Sequence, residues 1–220
     1  TNDKKRLKMI YPALVAYYKS YIKILDVQSG LYLGTWASMD NSPRIPGMLC
    51  SIDTSSEVVL FARNLAYIAR ILGLSKESAF YEMKADQLTK IINDKLWDNN
   101  SNFYYDLNIN REIHNVRTIA AYWTLIAHIA DTNRAAILAE YLSDTSKFAR
   151  VHMVPTVPAD EKGYEPTGHY WRGGVWTTTN IMIIKGLEEY GYDDLAETIA
   201  ISHVDNVFKI DEKTCTMWTF

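Results

Sequence analysis

Gly34-Thr35-Trp36-Ala37-Ser38-Met39-Asp40-Asn41-Ser42-Pro43-Arg44-Ile45-Pro46-Gly47 separates two stretches of helical hydrophobic periodicity. A connection of this length is usually polar throughout. This one places a large aromatic, an acid, an amide and a guanidinium between Trp36 and Arg44. Pro43 and Pro46 fix φ and remove backbone donors, which predicts a stiff loop. Trp36 offers an apolar face on which a ring can stack. Asp40 can give or take a proton, and Asn41 and Arg44 can bind hydroxyls or hold the acid in place. The plainer account of the same residues is an Asx-turn with a surface ion pair between Asp40 and Arg44, an arrangement that is common and energetically weak.

Working outward, the chain reads as helical hairpins. Leu7, Ile10, Leu14, Tyr17, Tyr21 and Ile24 recur at steps of three and four, predicting a first helix over 5–25 that Pro12 either kinks or starts near Tyr11. After the loop, Thr54 or Ser55 is the expected N-cap of a second helix with Phe61, Leu65, Ile68 and Leu72 on one stripe, stopping at Gly73. Ser75 is the expected cap of a third helix carrying Tyr81, Ala85, Leu88, Ile92 and Leu96. The Asn/Asp/Ser cluster between Trp97 and Leu107 predicts a turn and short strand, with a hairpin ending near His114. A fourth helix is expected over 117–130, a fifth capped by Asp131 or Thr132, a sixth over 177–190, and a seventh capped by Asp193 and reaching about Phe208. The junction at Gly191-Tyr192 repeats the one at Gly73-Leu74: helix, Gly, bulky residue, cap, helix. Residues 146–172 show no helical period, and long ordered loops in compact domains tend to be functional.

The 220 residues, 48 % of them apolar, suffice for one large domain or two small ones. Net charge is −3, from 23 basic and 26 acidic residues with no basic block, so nucleic acid is not an expected partner. No run of eighteen apolar residues exists, so no membrane partner is expected. Cys50 and Cys215 make neither a disulfide framework nor a zinc site, and the five histidines lack ligand spacing, so no metal and no cofactor is expected. Tyr11, Lys19 and Lys23 interrupt any signal-peptide core at the N-terminus. The chain lacks an initiator Met and is expected to be a piece of a longer one. The compartment is left open, secretion or the periplasm being compatible with it. Fifteen Tyr and six Trp suit a carbohydrate cleft, and equally a helical core.

A second stretch, His169-Tyr170-Trp171-Arg172-Gly173-Gly174-Val175-Trp176 with Asn180 after it, changes the weight of the first. Together the two resemble the clan of inverting α-glycosidases that holds family 63 α-glucosidases, mannosylglycerate hydrolases and trehalases. Those proteins carry a W-x-S-x-x-D-N-S-P-R-like loop and a Y-W-R-G-P-V-W-x-x-x-N-like segment. Here Gly174 stands where Pro is usual. The resemblance implies an all-α fold, an (α/α)6 toroid of the six-hairpin glycosidase kind, present as a partial barrel of about seven helices. Residues 1–220 would be part of one catalytic domain continuing beyond both ends.

It also implies hydrolysis of an α-linked glucoside or mannoside with inversion, on an oligosaccharide or glycoside substrate. Inversion needs two carboxyl groups about 6.5–9.5 Å apart. By resemblance Asp40 is the general acid, which calls for a raised pKa and at least partial shielding. The base would be a Glu just past the run Thr216–Phe220, with Glu165 as the competing acid within the chain. Trp36, Asn41, Arg44, Trp171, Arg172, Trp176 and Asn180 are the candidate substrate-binding residues. Each has a plain alternative: a core aromatic cluster for the Trp and Arg172 positions, local backbone partners for the two amides. Asp53 and Glu57 are explained by favourable placement of acids at a helix N-terminus. Two rival readings stand beside hydrolysis: a sugar epimerase or isomerase on the same barrel, which would bring histidines to the sugar, and a non-catalytic carbohydrate-binding module.

Overall fold

The computed structural model describes residues 3–34 and 39–214. Trp36 therefore lies outside the described residues. Seven α-helices occur among them, the number the periodicity predicts, and they account for about half of the described residues.

Helix α1 (Lys4–Ser20) is capped by Asp3, whose carboxylate accepts from the Arg6 amide at 3.1 Å. Pro12 neither starts nor ends it. Both Pro12 and Lys8 are exposed, so water can satisfy the Lys8 carbonyl that the proline ring leaves without a donor. A 3-10 turn, Tyr21–Ile24, completes the segment.

Helices α2 (Ile52–Leu72) and α3 (Ser75–Lys95) form the first hairpin. The N-cap of α2 is Ser51, not Thr54 or Ser55. Ser51 has extended dihedrals that continue strand β3 (Met48–Cys50), and its hydroxyl accepts from the Thr54 amide at 3.4 Å. Ser75 is likewise the first residue of α3 rather than its cap. Gly73 turns the chain at φ +79°, with the Leu74 amide donating to Ala69 O at 2.8 Å. A Cβ at Gly73 would meet nothing within 4 Å, so the left-handed φ alone accounts for glycine there. The same junction, at Gly191 with φ +77°, joins α6 (Thr177–Glu188) to α7 (Asp193–Thr214).

The fourth helix is shorter than its periodicity predicts. A 3-10 turn, Ile119–Tyr122, leads into α4 (Trp123–Ile126). The chain then folds back, because the amides of Ile129 and Ala130 both donate to Thr124 O and His128 takes φ +52°. Asp131 caps α5 (Thr132–Ser143) as expected. Residues 146–172 contain no α-helix, only a 3-10 turn at Tyr170–Arg172.

All strands are short and antiparallel. Strand β1 (Leu25–Asp26) pairs with β2 (Leu31–Tyr32), and β4 (Trp97–Asp98) with β5 (Phe103–Tyr104). The order β3-β6-β7 joins Met48–Cys50 to β6 (Asp106–Asn108) and β7 (Ile113–His114). The strand-and-turn expectation for 97–114 is met.

One continuous core runs from α2 to α7 through Val59, Ile92, Tyr122, Leu138, Ile183 and Ile199, all fully buried. Helices α4 and α6 pack closely: a Cβ on Gly186 would lie 2.7 Å from Leu125 Cβ. A second cluster, Tyr11, Leu65, Ala66, Ala69 and Tyr81, fastens α1 onto the first hairpin. The effect on the site is simple. The N-terminal turn of α2, the Met39–Gly47 segment and the chain entering α6 meet on one side of this core.

Candidate active site

The chemistry of the Met39–Gly47 segment is set by a buried cation. Arg44 is 0 % exposed. Its Nη2 donates to Asp53 Oδ1 at 2.8 Å, its Nη1 to Asp53 Oδ2 at 3.2 Å, and its Nε lies 3.0 Å from Asp106 Oδ2. A charge this buried is tolerated only when paired and hydrogen-bonded, and the fork of a guanidinium suits two carboxylates. Arg44 does not form a surface pair with Asp40; it is fully buried between Asp53 and Asp106. It locks the loop onto α2 and β6. Burial raises the Asp53 pKa, but Arg44, Ser51 and the Thr54 amide outweigh it and leave the net shift downward. For Asp106 burial wins over Arg44, and its carboxyl is pushed up to about 6.

Asn41 makes the second anchor. Its Oδ1 accepts from the Trp171 amide at 2.9 Å, tying the loop to the segment that enters α6. Trp171 stacks on Trp176 with ring centroids 4.4 Å apart and an interplanar angle of 8°, and Tyr170 sets its edge against both. Arg172 is half-buried and donates through Nε to Gly163 O at 3.3 Å, bracing the long loop. Asn180 is 1 % exposed; its amide serves Met153 O, the Val154 amide and His203 Nδ1. The buried amide of Asn180 is thus spent on partners more than twenty residues away, two of them backbone groups of the long loop and one a side chain of α7, and not on its local backbone.

Beside these anchors an open cavity of about 180 Å³ is formed. Its lining includes Met39 from the loop, Asp53 and Glu57 from α2, Trp123 from α4, Trp171, and Met182 from α6. Thr178 and Thr179, in the first turn of α6, complete its polar side. Asp40 stands between Met39, which lines the cavity, and Asn41, which is bonded to Trp171. Asp40 itself is exposed, against the expected shielding. The reason is local: Met39 takes φ +61° and turns its own side chain inward to 5 % exposure, leaving the next residue outward.

Two residues that sequence reasoning assigned to helix-terminus electrostatics therefore face the cavity. Asp53 and Glu57 are one turn apart, and an i, i+4 spacing puts both on one face of α2. That spacing was visible in the sequence; which face turned toward the aromatic segment was not. Burial, reinforced by Asp53 and opposed by Arg44, pushes the Glu57 carboxyl up to about 7. Glu165 is exposed, its amide donating to Arg172 O at 2.6 Å, and it does not line the cavity. Among the described residues no group of three His, Cys, Asp or Glu could hold a metal ion, and no helix is long and apolar enough to cross a membrane.

A family 63 mannosylglycerate hydrolase from Thermus thermophilus, solved with glucose, superposes with a TM-score of 0.81 at 21 % identity, over 94 % of this chain and 61 % of that one. The neutral trehalase of Saccharomyces cerevisiae gives 0.69 at 18 %, over 79 % and 34 %. The fold is thus that of the (α/α)6 toroid enzymes, matched over part of their length. The sequence goes further. Residues 1–214 match the mannosylglycerate hydrolase MGH1-like glycoside hydrolase domain, and the chain belongs to that family. An uncharacterized protein of Borreliella burgdorferi is 31 % identical over 211 residues, covering 93 % of this chain and 43 % of that protein. The mannosylglycerate hydrolase of Rubrobacter radiotolerans is 33 % identical over 141 residues, covering 62 % and 31 %. The chain spans less than half the length of either relative.

Proposed function

We propose that this chain carries the general-acid side of an inverting α-glycosidase that cleaves an α-linked glucoside or mannoside. The observation that supports the reading is the Asn41–Trp171 hydrogen bond, which ties the residue after Asp40 to the aromatic wall of the cavity. A sugar ring lying against Trp171 presents C–H groups to its face, and the stack with Trp176 keeps that face rigid. In this reading Asp40, exposed in this structure, turns toward the bound ring and protonates the departing glycosidic oxygen. The water-activating base is the Glu expected after the Thr216–Phe220 run, on the opposite side of the ring. Asn41 and Arg44 act as positioning residues, one fixing the loop to the aromatic wall and the other fixing it to α2. Among the described residues no histidine lines the cavity, and the epimerase alternative would call for one.

The test is hydrolysis by the intact polypeptide of a panel of α-glucosides, α-mannosides, mannosylglycerate and trehalose, followed by NMR at the anomeric carbon. The expected outcome is β-product appearing first and its loss in Asp40→Asn. Turnover by Asp40→Asn equal to the parent removes Asp40 from the acid role. Sugar binding with no turnover of any substrate favours the non-catalytic module.

A further inference from the structure

Two carboxyl groups line the cavity, and they differ in what they are bonded to. Both oxygens of Asp53 are taken by Arg44, and Oδ1 also accepts from the Thr54 amide at 2.9 Å. Glu57 makes no hydrogen bond among the described residues, although it is largely withdrawn from water. The hydroxyl of Thr179, which also lines the cavity, donates to Trp176 O at 2.9 Å, so its oxygen is still able to accept. A half-buried carboxyl without a partner is costly unless a ligand supplies one. Around it the cavity is apolar and aromatic, through Met39, Trp123, Trp171 and Met182. At about 180 Å³ it is smaller than the roughly 300–1,000 Å³ of drug-sized sites and suits a single ring.

We propose that Glu57 is a specificity-determining residue, binding a hydroxyl of the sugar ring that sits against Trp171 and excluding sugars that carry a negative charge there. The inference rests on the glycoside-binding reading of this cavity. A neutral sugar hydroxyl can donate to the ionised carboxylate or accept from the protonated acid. A carboxylate or phosphate on the ring meets both Glu57 and the net negative pair that remains when Arg44 is shared between Asp53 and Asp106. The charged and titratable groups around Glu57 are Asp53 on its own helix, Arg44 on the loop, and Tyr21 on the 3-10 turn after α1. Only one of these is a cation, and it is already committed.

The experiment uses the intact polypeptide, its Glu57→Gln and Glu57→Ala variants, and tryptophan fluorescence, since Trp123 and Trp171 line the cavity. The probes are glucose, mannose and glucuronate. Glu57→Ala is expected to weaken glucose or mannose binding about tenfold or more, the value of one hydrogen bond to a charged group. Glu57→Gln, nearly isosteric, is expected to lower the preference for glucose over glucuronate. If both variants keep the parent's affinity and the parent's preference, Glu57 does not select the sugar, while the cavity remains a sugar site. If the parent binds neither neutral sugar, the inference and the glycoside reading of the cavity fall together.

Discussion

Asn41 Oδ1 accepts a hydrogen bond from the backbone amide of Trp171 at 2.9 Å, joining positions 130 residues apart in the chain. The bond fixes the distance between a loop that carries an acid and a wall that carries stacked indoles. Asn41→Ala removes the acceptor and leaves the Trp171 amide without it. The expected stability loss is modest, about 1 kcal/mol. The expected loss in kcat/KM is larger, roughly 10- to 100-fold, because small displacements of a reacting group are costly. Asn41→Asp keeps an acceptor and should recover most of the activity. Urea unfolding measured beside kcat/KM separates the two effects; equal activity in Asn41→Ala would show that the tether does not position Asp40.

Arg44 is predicted to be the most stability-sensitive residue of the loop. Arg44→Ala leaves two buried carboxylates, Asp53 and Asp106, without their cation. Breaking a buried pair by removing one partner costs about 3–5 kcal/mol. Arg44→Lys retains charge but cannot reach both acids with a rigid fork, so it should fall between. The midpoint of urea unfolding at neutral pH reads this order. An Arg44→Ala variant as stable as the parent would mean the carboxylates have taken up protons or water instead.

Glu57 gives a pH signature. Its folded-state pKa is raised from 4.5 to about 7 by burial and by Asp53. A raised carboxyl favours the protonated folded state. Its stabilising contribution is fully present below pH 4.5 and is lost as pH rises through about 7. Glu57→Gln stays neutral at every pH. The variant should therefore match the parent near pH 4.5 and exceed it above pH 7, by at most about 3 kcal/mol. Thermal midpoints of parent and variant across pH 4.5–8 test this. A gap that does not widen as pH rises through 7 would place Glu57 in water.

The hairpin helices α2, α3, α6 and α7 were legible because they carry a stripe at the helical period and meet at a glycine whose chemistry is local, whereas the stripe over 117–130 folded into a 3-10 turn and the short α4. Gly73 and Gly191 show this: a left-handed φ with open space around it is a property of one residue, readable without neighbours. The caps were less legible. Thr54 and Ser55 look like caps, but strand β3 ends at Cys50 and so hands the role to Ser51. Site roles were the least legible. Asp53, Asn180 and Arg44 owe their surroundings to segments tens of residues away, and a side chain's partner across the fold leaves no mark in its own vicinity. Resemblance supplied the Asp40 loop and the Trp171 segment; only the folded geometry joined them to Glu57.

Gly174 is where the chain departs from the segment it resembles, and its geometry makes a sharp prediction. The Gly174 amide donates to Tyr170 O at 3.2 Å, closing the turn beneath the Trp171–Trp176 stack. A Cβ at this position would lie 2.4 Å from Tyr170 O and 2.8 Å from Gly168 O, both backbone atoms that cannot swing away. Gly174→Ala is expected to destabilise by about 1–3 kcal/mol, as overpacking does. Gly174→Pro should cost more, because it adds the ring and deletes the donor, about 1 kcal/mol further. Either substitution forces the turn open and tilts the two indoles apart, so the near-UV circular dichroism of the pair should change along with the unfolding midpoint. A Gly174→Pro variant with parental stability and an unchanged indole signal would contradict this account. It would mean that the turn tolerates the residue usual in its relatives, and that glycine here is not required by the close approach of Tyr170 and Gly168.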